Sequence, residues 1–485
     1  MAVQFDIRLA MSADAEFVFK LSNDQLVRRN SSNQGEIKWE DHVRWFSQML
    51  TSPECIFFIV ESGGVPIGQV RFNRREMGWE CSGSLLSAWR GKGLSNRFLR
   101  AALIRSGLPE VVGMSKVTNK IAIKPLKDNG YNYVENVWIR GEEYEVYRYN
   151  DRVLTIAELS ANHRGDLGRA RELIAAAKES GADAVKLQTY TADTMTLNCD
   201  DGPFRISGGT LWDGMTMHEL YERASTPWEW TEELMQYAKS LGIELFSTPF
   251  DRTAVDFLEQ VNVPWYKIAS FESVDIPFVS YVASKKKPVL ISAGVSSIDE
   301  MQAAIDACFD VDNFDVTLMK CTSAYPAKLE NMHLATIRDM VERFGSQGVR
   351  IGLSDHTLGL EVPVAAVAMG ARVIEKHLSL DRPKGDVESS FALTPDEFAA
   401  MTKAVKNVMP AIGDVSYAVD PNGRRGCRSL FVSEDIKVGE MFTESNIRSV
   451  RPGLGCSPSS LPFLLGKRAT RDLRKGTPMR EEYAE

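Results

Sequence analysis

The chain has 485 residues, which is too long for one ordinary hydrophobic core and therefore predicts two or three domains. The charged fraction of 25% and the hydrophobic fraction of 44% are typical of globular proteins, and the net charge of −8 argues against a nucleic-acid-binding surface. No apolar run approaches the roughly 20 residues of a membrane helix, and the amino terminus has no signal-peptide core. Seven cysteines without a C-x-x-C pair are typical of free thiols in a reducing cytoplasm. We therefore expect a cytoplasmic protein, and the lack of a long apolar run predicts no membrane partner.

Residues 1–149 are expected to form a first α/β domain. Apolar runs predict strands at Phe57–Glu61, Val65–Phe72 and Ser82–Ser87. The loop from Arg90 to Ser95, RGKGLS, follows them and opens a predicted helix. A glycine-rich turn at the start of a helix offers backbone N–H groups and the positive end of the helix dipole to a phosphate.

This loop resembles the phosphate-binding loop of the GNAT-type N-acetyltransferases, and the resemblance covers most of residues 1–149. It implies that acetyl-coenzyme A would be bound by Arg90, Gly91, Gly93 and Ser95. The late helix departs from that family, because Leu126 stands where a tyrosine general acid is common and Pro125 precedes it. Proline inside a helix costs roughly 3 kcal/mol, so we expect a short or kinked helix. Two roles stay open for this domain, an acetyltransferase and a non-catalytic binding or assembly module.

From Val153 onward, apolar segments alternate with helical segments. The predicted strands are Leu154–Leu159, Ala184–Leu187, Glu244–Phe246, Trp265–Ala269, Pro288–Ile291, Val316–Met319, Ile351–Leu353 and Val373–Ile374. Three helices are predicted to begin at S/T-x-x-E capping boxes, at Thr226, Ser297 and Thr394. Eight βα units in about 255 residues match a closed (β/α)8 TIM barrel, which we place at 151–412. An open doubly wound sheet is the alternative, but the strands are short and none resembles an edge strand. The joint at Arg148–Arg152 is short, so we expect the two domains to touch.

Polar or charged side chains follow the carboxyl end of every predicted barrel strand. They include Glu158, Lys186, Gln188, Thr248, Lys267, Ser270, Glu272, Ser292, Lys320, Thr322, Ser354, His356, Glu375 and His377. Parallel α/β folds place their chemistry at this end. One such residue alone is explained by helix capping or an ion pair, but eight converging strands favour a functional site. Lysines among hydroxyls indicate an anionic substrate, and Glu158 beside them indicates proton transfer.

Two of the six histidines follow consecutive predicted strands. His356 and His377 lie at the ends of one βαβ unit. Two imidazoles at neighbouring strand ends are predicted ligands of a divalent metal that keeps open positions. The alternative is a pair of histidines that only form hydrogen bonds in a polar rim.

Several barrel segments resemble the N-acetylneuraminate synthase family, whose members condense phosphoenolpyruvate with an N-acetylated sugar. The matching motifs are IAELSANH from Ile156, KLQT from Lys186, STPF from Ser247, YKIASFE from Tyr266, GLSDHT from Gly352 and IEKH from Ile374. The match spans 151–485. After a linker at 413–424, residues 425–485 resemble the family's antifreeze-like SAF domain, with RPGLG starting at Arg451. Within the family, the stretches at 209–214 and 226–230 most resemble the pseudaminic acid synthases.

The resemblance implies a role for each matching residue. His356 and His377 would bind Mn2+ or Mg2+ and act in catalysis with Glu158. Phosphoenolpyruvate would be held by Lys186, Thr248, Lys267, Ser270, Ser292 and Ser354. The sugar would contact Gln188, Glu272, Tyr325, Asp386 and Arg451, with Arg451 reaching it from the partner subunit of a domain-swapped homodimer. Two positions depart from the sialic acid synthase pattern, Ser323 in place of Asn and Ala293 in place of Thr.

The implied substrates are phosphoenolpyruvate and an N-acetylated 6-deoxy amino sugar, 2,4-diacetamido-2,4,6-trideoxy-altrose, and the implied product is pseudaminic acid. One alternative is a synthase for N-acetylneuraminate or legionaminate with a non-catalytic amino-terminal domain. Another is a metal-dependent aldolase that uses free pyruvate. An acetyltransferase domain is consistent with a pseudaminic acid synthase, because the implied pathway acetylates a 4-amino sugar nucleotide before condensation.

Overall fold

The computed structural model describes residues 4–207, 213–383, 389–413 and 417–485. The chain divides into two compact units, Met1–Ile412 and Gly413–Glu485. Within the described ranges, no helix combines the length and the apolar character needed to cross a membrane. The cysteines of these ranges are all free thiols.

The first unit begins with a seven-stranded mixed sheet in the order β1-β2-β3-β4-β5-β7-β6. Its strands are β1 (Asp6–Leu9), β2 (Cys55–Ser62), β3 (Val65–Arg75), β4 (Gly78–Leu85), β5 (Glu110–Lys116), β6 (Asn132–Ile139) and β7 (Glu142–Asn150). Its helices are α1 (Ala15–Ser22), α2 (Gln25–Asn30), α3 (Trp39–Thr51), α4 (Leu94–Ser106) and α5 (Lys120–Asp128). The predicted strands and helix are confirmed, and α5 is short with Pro125 inside it.

Both faces of this sheet are covered because successive side chains of a strand point to opposite sides. Phe58 and Val60 of β2 pack in one cluster with α4, whereas Phe57 and Ile59 pack in another with α1 and α3. Strands β4 and β5 form the parallel pair of this sheet, and they are in register at only two positions, Glu80 with Val112 and Cys81 with Gly113. Outside these two positions, the described residues of β4 and β5 are not paired with each other.

The rest of the first unit is a closed barrel of eight parallel strands. The strands are β8 (Leu154–Glu158), β9 (Ala184–Thr189), β10 (Glu244–Pro249), β11 (Tyr266–Ile268), β12 (Val289–Ala293), β13 (Val316–Cys321), β14 (Arg350–Asp355) and β15 (Val373–His377). The helices are α6 (Leu167–Glu179), α7 (Ala192–Met195), α8 (Met217–Ala224), α9 (Thr231–Ser240), α10 (Arg252–Gln260), α11 (Ile276–Ala283), α12 (Ile298–Asp310), α13 (Ala335–Phe344), α14 (Glu361–Ala368) and α15 (Pro395–Ile412). Pairing of β15 with β8 closes the barrel and excludes the open sheet.

The interior of the barrel is layered along the strands. One buried apolar layer contains Ile156, Ala184, Phe246, Leu290, Met319 and Val373. Two residues further along the same strands stand Glu158, Lys186, Thr248, Ser292, Cys321 and Glu375. Because side chains alternate with a period of two, these residues also point inward, and they form a polar layer above the apolar one.

The predicted capping boxes have mixed outcomes. Ser297 forms a reciprocal box with Glu300 at the start of α12, as predicted. The box at Thr226 is wrong, because the Thr226 hydroxyl lies 3.0 Å from the Nε2 atom of His163 and α9 begins only at Thr231. A tertiary hydrogen bond has replaced the local cap.

Helix α4 joins the sheet domain to the barrel. The Arg97 guanidinium lies over the Phe314 ring at 4.3 Å. Arg100 donates to the Phe314 carbonyl at 3.1 Å and to Asp315 Oδ1 at 2.7 Å. Phe314 and Asp315 immediately precede β13, so the sheet domain contacts the amino-terminal end of the barrel strands. The expected contact between the two domains is confirmed.

The second unit contains a two-stranded antiparallel sheet of β16 (Ser429–Val432) and β17 (Ile447–Val450). Two short helices accompany it, α16 (Pro421–Arg424) and α17 (Leu461–Leu464). Its core is a small cluster that includes Leu430, Phe442 and Met479. The strand predicted at Ser429 is present.

Candidate active site

Four charged side chains form the floor of the polar end of the barrel. Lys186 Nζ lies 2.6 Å from Glu158 Oε2 and 3.2 Å from Glu375 Oε1. Lys267 Nζ donates to both oxygens of Glu375, at 3.0 and 3.1 Å. All four residues are at most 4% exposed. Two ammonium groups facing two carboxylates give a network without net charge, which burial requires.

The pKa values of the two carboxylates of this network are shifted in opposite directions. Burial raises the pKa of the Glu158 carboxyl, against the opposing charge of Lys186. Burial also acts on Glu375, but the charges of Lys186 and Lys267 outweigh it and lower its pKa to about 2. Carboxylates whose environments push their pKa values apart are typical of acid/base sites. Glu158 is therefore the group that can exchange a proton here, and Glu375 stays ionised.

Hydroxyl groups lie beside the two lysines. Lys186 donates to Thr248 Oγ1 at 3.1 Å, and Ser354 Oγ donates to Glu375 Oε1 at 3.3 Å. Ser292 Oγ is buried and has no hydrogen-bond partner among the described residues. A buried hydroxyl without a partner is costly, so a ligand oxygen at this position would satisfy it.

Gly294 and Ser323, which were not predicted as ligands, hold the hydroxyl of Ser270 in place. The Gly294 N–H donates to Ser270 Oγ at 2.9 Å, and Ser323 Oγ donates to it at 3.0 Å. A Cβ atom on Gly294 would lie 2.4 Å from Ser323 Oγ and 2.7 Å from Ser270 Oγ, so any larger residue would force both hydroxyls to move. The departure at Ser323 was visible in the sequence, whereas nothing in the sequence singled out Gly294.

His356 and His377 are brought together at the rim, with ring centroids 5.3 Å apart. His356 Nδ1 lies 3.0 Å from the Thr322 carbonyl, which can only accept, so Nδ1 carries the proton and Nε2 keeps its lone pair. Burial lowers the pKa of both imidazoles, and the neutral ring is the form that binds a metal.

The donor set therefore fits a divalent metal that takes two nitrogen ligands from the protein. Within the described ranges, no group of three or more His, Cys, Asp or Glu side chains is placed to hold a metal ion. Water or substrate oxygens would have to supply the remaining ligands, as the prediction of open positions requires. The ring centroid of Tyr325 lies 4.3 Å from that of His356, and the ring centroid of Phe391 lies 4.8 Å from that of His377. These two rings limit the space around the histidines.

The residues predicted to face the sugar are only partly brought together. Gln188 Nε2 donates to Glu158 Oε1 at 3.1 Å, so it lies at the floor of the site. Burial raises the pKa of Glu272 to about 7. The Tyr325 side chain is half exposed. Asp386 lies outside the described residues, as does most of the 209–214 stretch, and Arg451 is exposed on the second unit.

The glycine-rich loop lies in the sheet domain at the start of α4. Gly91 and Gly93 have φ values of 76° and 71°, and Gly93 is the residue that caps the helix. No atom lies within 4 Å of a Cβ built on either glycine, so the loop surface is open. The Arg90 side chain instead donates to Asp24 Oδ1 at 2.7 Å and to the Leu85 carbonyl at 2.9 Å. In this structure its charge is already neutralised within the protein.

Comparisons with known proteins agree with this layout. The NeuB family profile matches residues 173–417, and the SAF domain profile matches residues 428–482. The pseudaminic acid synthase of Helicobacter pylori is 45% identical over 328 residues, which cover 67% of this chain and 95% of that protein. The pseudaminic acid synthase of Campylobacter jejuni is 44% identical over 338 residues, covering 69% and 97%. A sialic acid synthetase structure from Leptospira borgpetersenii, in complex with citrate, has a TM-score of 0.51 at 24% identity, covers 60% of this chain and 95% of that one, and supports the fold.

Proposed function

This chain belongs to the NeuB family, and from that premise we propose that it is a pseudaminic acid synthase. It joins phosphoenolpyruvate to 2,4-diacetamido-2,4,6-trideoxy-altrose and releases phosphate and a nine-carbon 2-keto acid. One observation carries the proposal: buried lysines, an unpartnered serine hydroxyl, two neutral imidazoles and a carboxylate with a raised pKa converge at one end of the barrel. The two pseudaminic acid synthases matched over nearly their whole length support the choice of sugar.

Phosphoenolpyruvate carries negative charge on its phosphate and carboxylate, and this end of the barrel offers matching donors. Lys186 and Lys267 supply positive charge, which forms the stronger class of hydrogen bonds with anionic oxygens. Ser292 supplies the free hydroxyl, and Ser270 with Thr248 and Ser354 complete the set of proposed ligands. Fixing this substrate beside the sugar aldehyde converts a bimolecular step into an effectively unimolecular one, which lowers the barrier by roughly 7–11 kcal/mol.

The proposed reaction proceeds by attack of C3 of phosphoenolpyruvate on the aldehyde carbon of the open-chain sugar. Mn2+ or Mg2+ held by His356 and His377 would polarise the aldehyde oxygen as a Lewis acid. Positive charge then develops at C2, where the Glu158 carboxylate stabilises it. Water adds to C2 and gives one proton to Glu158. The new C2 hydroxyl loses its proton as the C2–O bond to phosphate breaks and the 2-keto group forms. Of these two protons, one ends on the alkoxide formed from the aldehyde oxygen and the other on the departing phosphate.

Glu375 serves this scheme by staying ionised. Its charge holds Lys267 and Lys186 in place and leaves Glu158 as the carboxylate that changes protonation. Gln188 donates to Glu158 Oε1 and orients it.

The sheet domain is proposed to bind acetyl-coenzyme A through the open loop at the start of α4. The positive φ of Gly91 and Gly93 leaves backbone N–H groups accessible there, which suits a pyrophosphate. A buried Leu126 at the tyrosine position supports binding more strongly than catalysis. If the domain is catalytic, it acetylates an amino sugar nucleotide before condensation, and otherwise it is a binding or assembly module.

The assembly and setting of the enzyme belong to the same proposal. We propose a domain-swapped homodimer in which Arg451 of one chain reaches the sugar in the barrel of the other. The guanidinium donates in a planar fork that suits a carbonyl or carboxylate of the acceptor. The cysteines are free thiols, which suits the cytoplasmic setting in which such sugars would be built.

The test uses the full-length chain with phosphoenolpyruvate, Mn2+ and one acceptor sugar at a time. Phosphate release is measured, and products are identified by mass spectrometry. We expect release with the pseudaminic acid precursor and a product mass equal to the sum of both substrates plus water minus phosphoric acid. Turnover only with an N-acetylneuraminate or legionaminate precursor would assign the chain to those synthases. Condensation of free pyruvate without phosphate release would make it an aldolase.

A further inference from the structure

An ion pair that the proposed mechanism does not use lies directly behind the two histidines. Asp355 and Lys376 are register partners between β14 and β15, and both side chains are completely buried. Each immediately precedes a histidine, His356 or His377. Ser354 and Glu375 point into the barrel, so the alternation of strand side chains places Asp355 and Lys376 on the outer side of the barrel wall.

The pair also holds the residue that follows His356. Lys376 Nζ donates to Asp355 Oδ2 and to the Thr357 carbonyl, the latter at 2.6 Å. Asp355 Oδ1 accepts from the Thr357 N–H at 2.9 Å, and Oδ2 accepts from Thr357 Oγ1 at 3.1 Å. The backbone on both sides of His356 is thereby tied to the strand that carries His377. On the inner side of the wall, the imidazole of His356 is fixed separately by the Thr322 carbonyl.

A contribution to folding stability alone does not explain why a completely buried ion pair lies behind the two histidines. Removing two charges from water is expensive, and replacing a buried ion pair by apolar residues of similar size is often neutral or stabilising. Geometry does account for it, because a metal with only two protein ligands needs those ligands at a fixed separation. The ligands come from different strands, and a charge-assisted bond between those strands, one residue before each ligand, restricts their relative movement.

We propose that Asp355 and Lys376 are positioning residues for the metal site, setting the separation and orientation of His356 and His377. This inference rests on the proposed metal-dependent function. Groups behind metal ligands typically change metal affinity by 10–100-fold when they are removed. The pair therefore acts on metal affinity more than on folding.

The test is Mn2+ binding to the full-length chain, measured by calorimetry and by electron paramagnetic resonance of free Mn2+. The principal variant is the double substitution Asp355→Asn with Lys376→Met, which buries no charge and keeps an acceptor for the Thr357 N–H. We expect a loss of Mn2+ affinity of about 10–100-fold and metal-free thermal unfolding close to that of wild type. A control, Glu259→Gln with Lys287→Met, removes a partly exposed ion pair at the other end of the barrel wall and should bind Mn2+ as wild type does.

Three further results decide the matter. Wild-type affinity in the double variant would reject the positioning role and leave the metal site standing, provided His356→Ala abolishes binding. Absence of Mn2+ binding by wild type would reject both the metal-dependent function and this inference. If the double variant does not fold, the single variant Asp355→Asn replaces it, because it weakens the bond to Lys376 without changing the size of the side chain. Unchanged affinity in that folded variant would overturn the proposal.

Discussion

Glu158 and Glu375 share one lysine, yet their pKa values move in opposite directions. Lys186 contacts both carboxylates, but Glu375 also receives two hydrogen bonds from Lys267. The additional positive charge keeps Glu375 ionised, whereas burial dominates at Glu158. The side chain of Lys267 on β11 thus accounts for the lower pKa of Glu375 and leaves Glu158 as the proposed proton-transfer group.

The first prediction concerns the pH dependence of condensation. The proposed reaction needs Glu158 as a carboxylate, and burial raises the pKa of this carboxyl, so activity should rise with pH through a value above that of an ordinary glutamate. Glu158→Gln should lower kcat by about 10²–10⁴-fold and remove this acidic limb. The pH profile of kcat checks this, and phosphoenolpyruvate binding measured by calorimetry serves as the folding control. An acidic limb that persists unchanged in Glu158→Gln would assign the titration to another group.

The second prediction concerns Gly294. In Gly294→Ala the new methyl group would displace the hydroxyls of Ser270 and Ser323 from the cluster proposed to hold phosphate. A hydrogen bond to a charged group contributes about 1.5–3 kcal/mol, so we expect the KM for phosphoenolpyruvate to rise by about 10–100-fold with little change for the sugar. The double variant Gly294→Ala with Ser323→Ala makes room for the methyl group and should recover part of the loss. Unaltered steady-state kinetics in Gly294→Ala would remove the cluster from the phosphate site.

At the scale of elements, the eight barrel strands were predictable because each is an apolar run followed by a polar residue. Successive side chains of a strand point to opposite faces, so the residues that point into the barrel could be predicted from the sequence. The charged residues at the floor of the site were therefore predictable as well. The prediction of a capping box at Thr226 is wrong because the Thr226 hydroxyl forms a hydrogen bond with His163, which lies 63 positions earlier in the sequence. The Gly294 contact and the pairing of Arg90 with Asp24 were equally out of reach, since both depend on residues far apart in sequence.

Helix α4 carries the third prediction, because its first turn is the proposed coenzyme A site. Gly93→Asp in the full-length chain should weaken acetyl-coenzyme A binding by placing a carboxylate against the pyrophosphate. Gly93→Asn is the matched control, since it imposes a similar strain at φ 71° without the charge. Calorimetry of both variants separates strain from charge. Equal affinities in the two variants would place the pyrophosphate elsewhere.

At the scale of the whole molecule, the sheet domain is not a loosely tethered addition. The 328 matched residues already cover 95% of the Helicobacter pylori synthase, so that protein has no room for a domain of this size. In this chain, Arg97 packs over Phe309 and Phe314 of the barrel at 5.1 and 4.3 Å, and Arg100 pairs with Asp315. An isolated fragment of residues 1–149 would expose that surface of α4, which is why coenzyme A binding is best measured on the intact chain.

The position of this contact separates the two proposed sites. The sheet domain lies against the amino-terminal end of β13, and the lysines and histidines lie at the carboxyl ends of the strands. An acetylated product would therefore have to leave the sheet domain before it could reach the barrel site. The contact with the sheet domain and the proposed active site therefore lie at opposite ends of the barrel strands, and catalytic residues of TIM barrels lie at the carboxyl ends.

The last prediction tests whether Arg451 acts on the barrel of the other chain. Arg451→Ala should raise the KM for the sugar far more than that for phosphoenolpyruvate, because the lost group is proposed to contact only the acceptor. Lysine would not reproduce the planar fork of the guanidinium, so Arg451→Lys should restore little activity.

Subunit exchange between the variants Arg451→Ala and Glu158→Ala then locates the action of Arg451, at a sugar concentration low enough that neither variant alone turns over. In a mixed dimer, the barrel of the first chain keeps Glu158 and meets the intact Arg451 of the second chain. Half of the randomly assembled dimers are mixed and each has one complete site, so activity should return to about a quarter of the wild-type value. If a mixed dimer verified by mass spectrometry stays inactive while each variant remains folded, Arg451 does not serve the neighbouring barrel. The sugar KM of Arg451→Ala would then decide whether it serves its own barrel or neither.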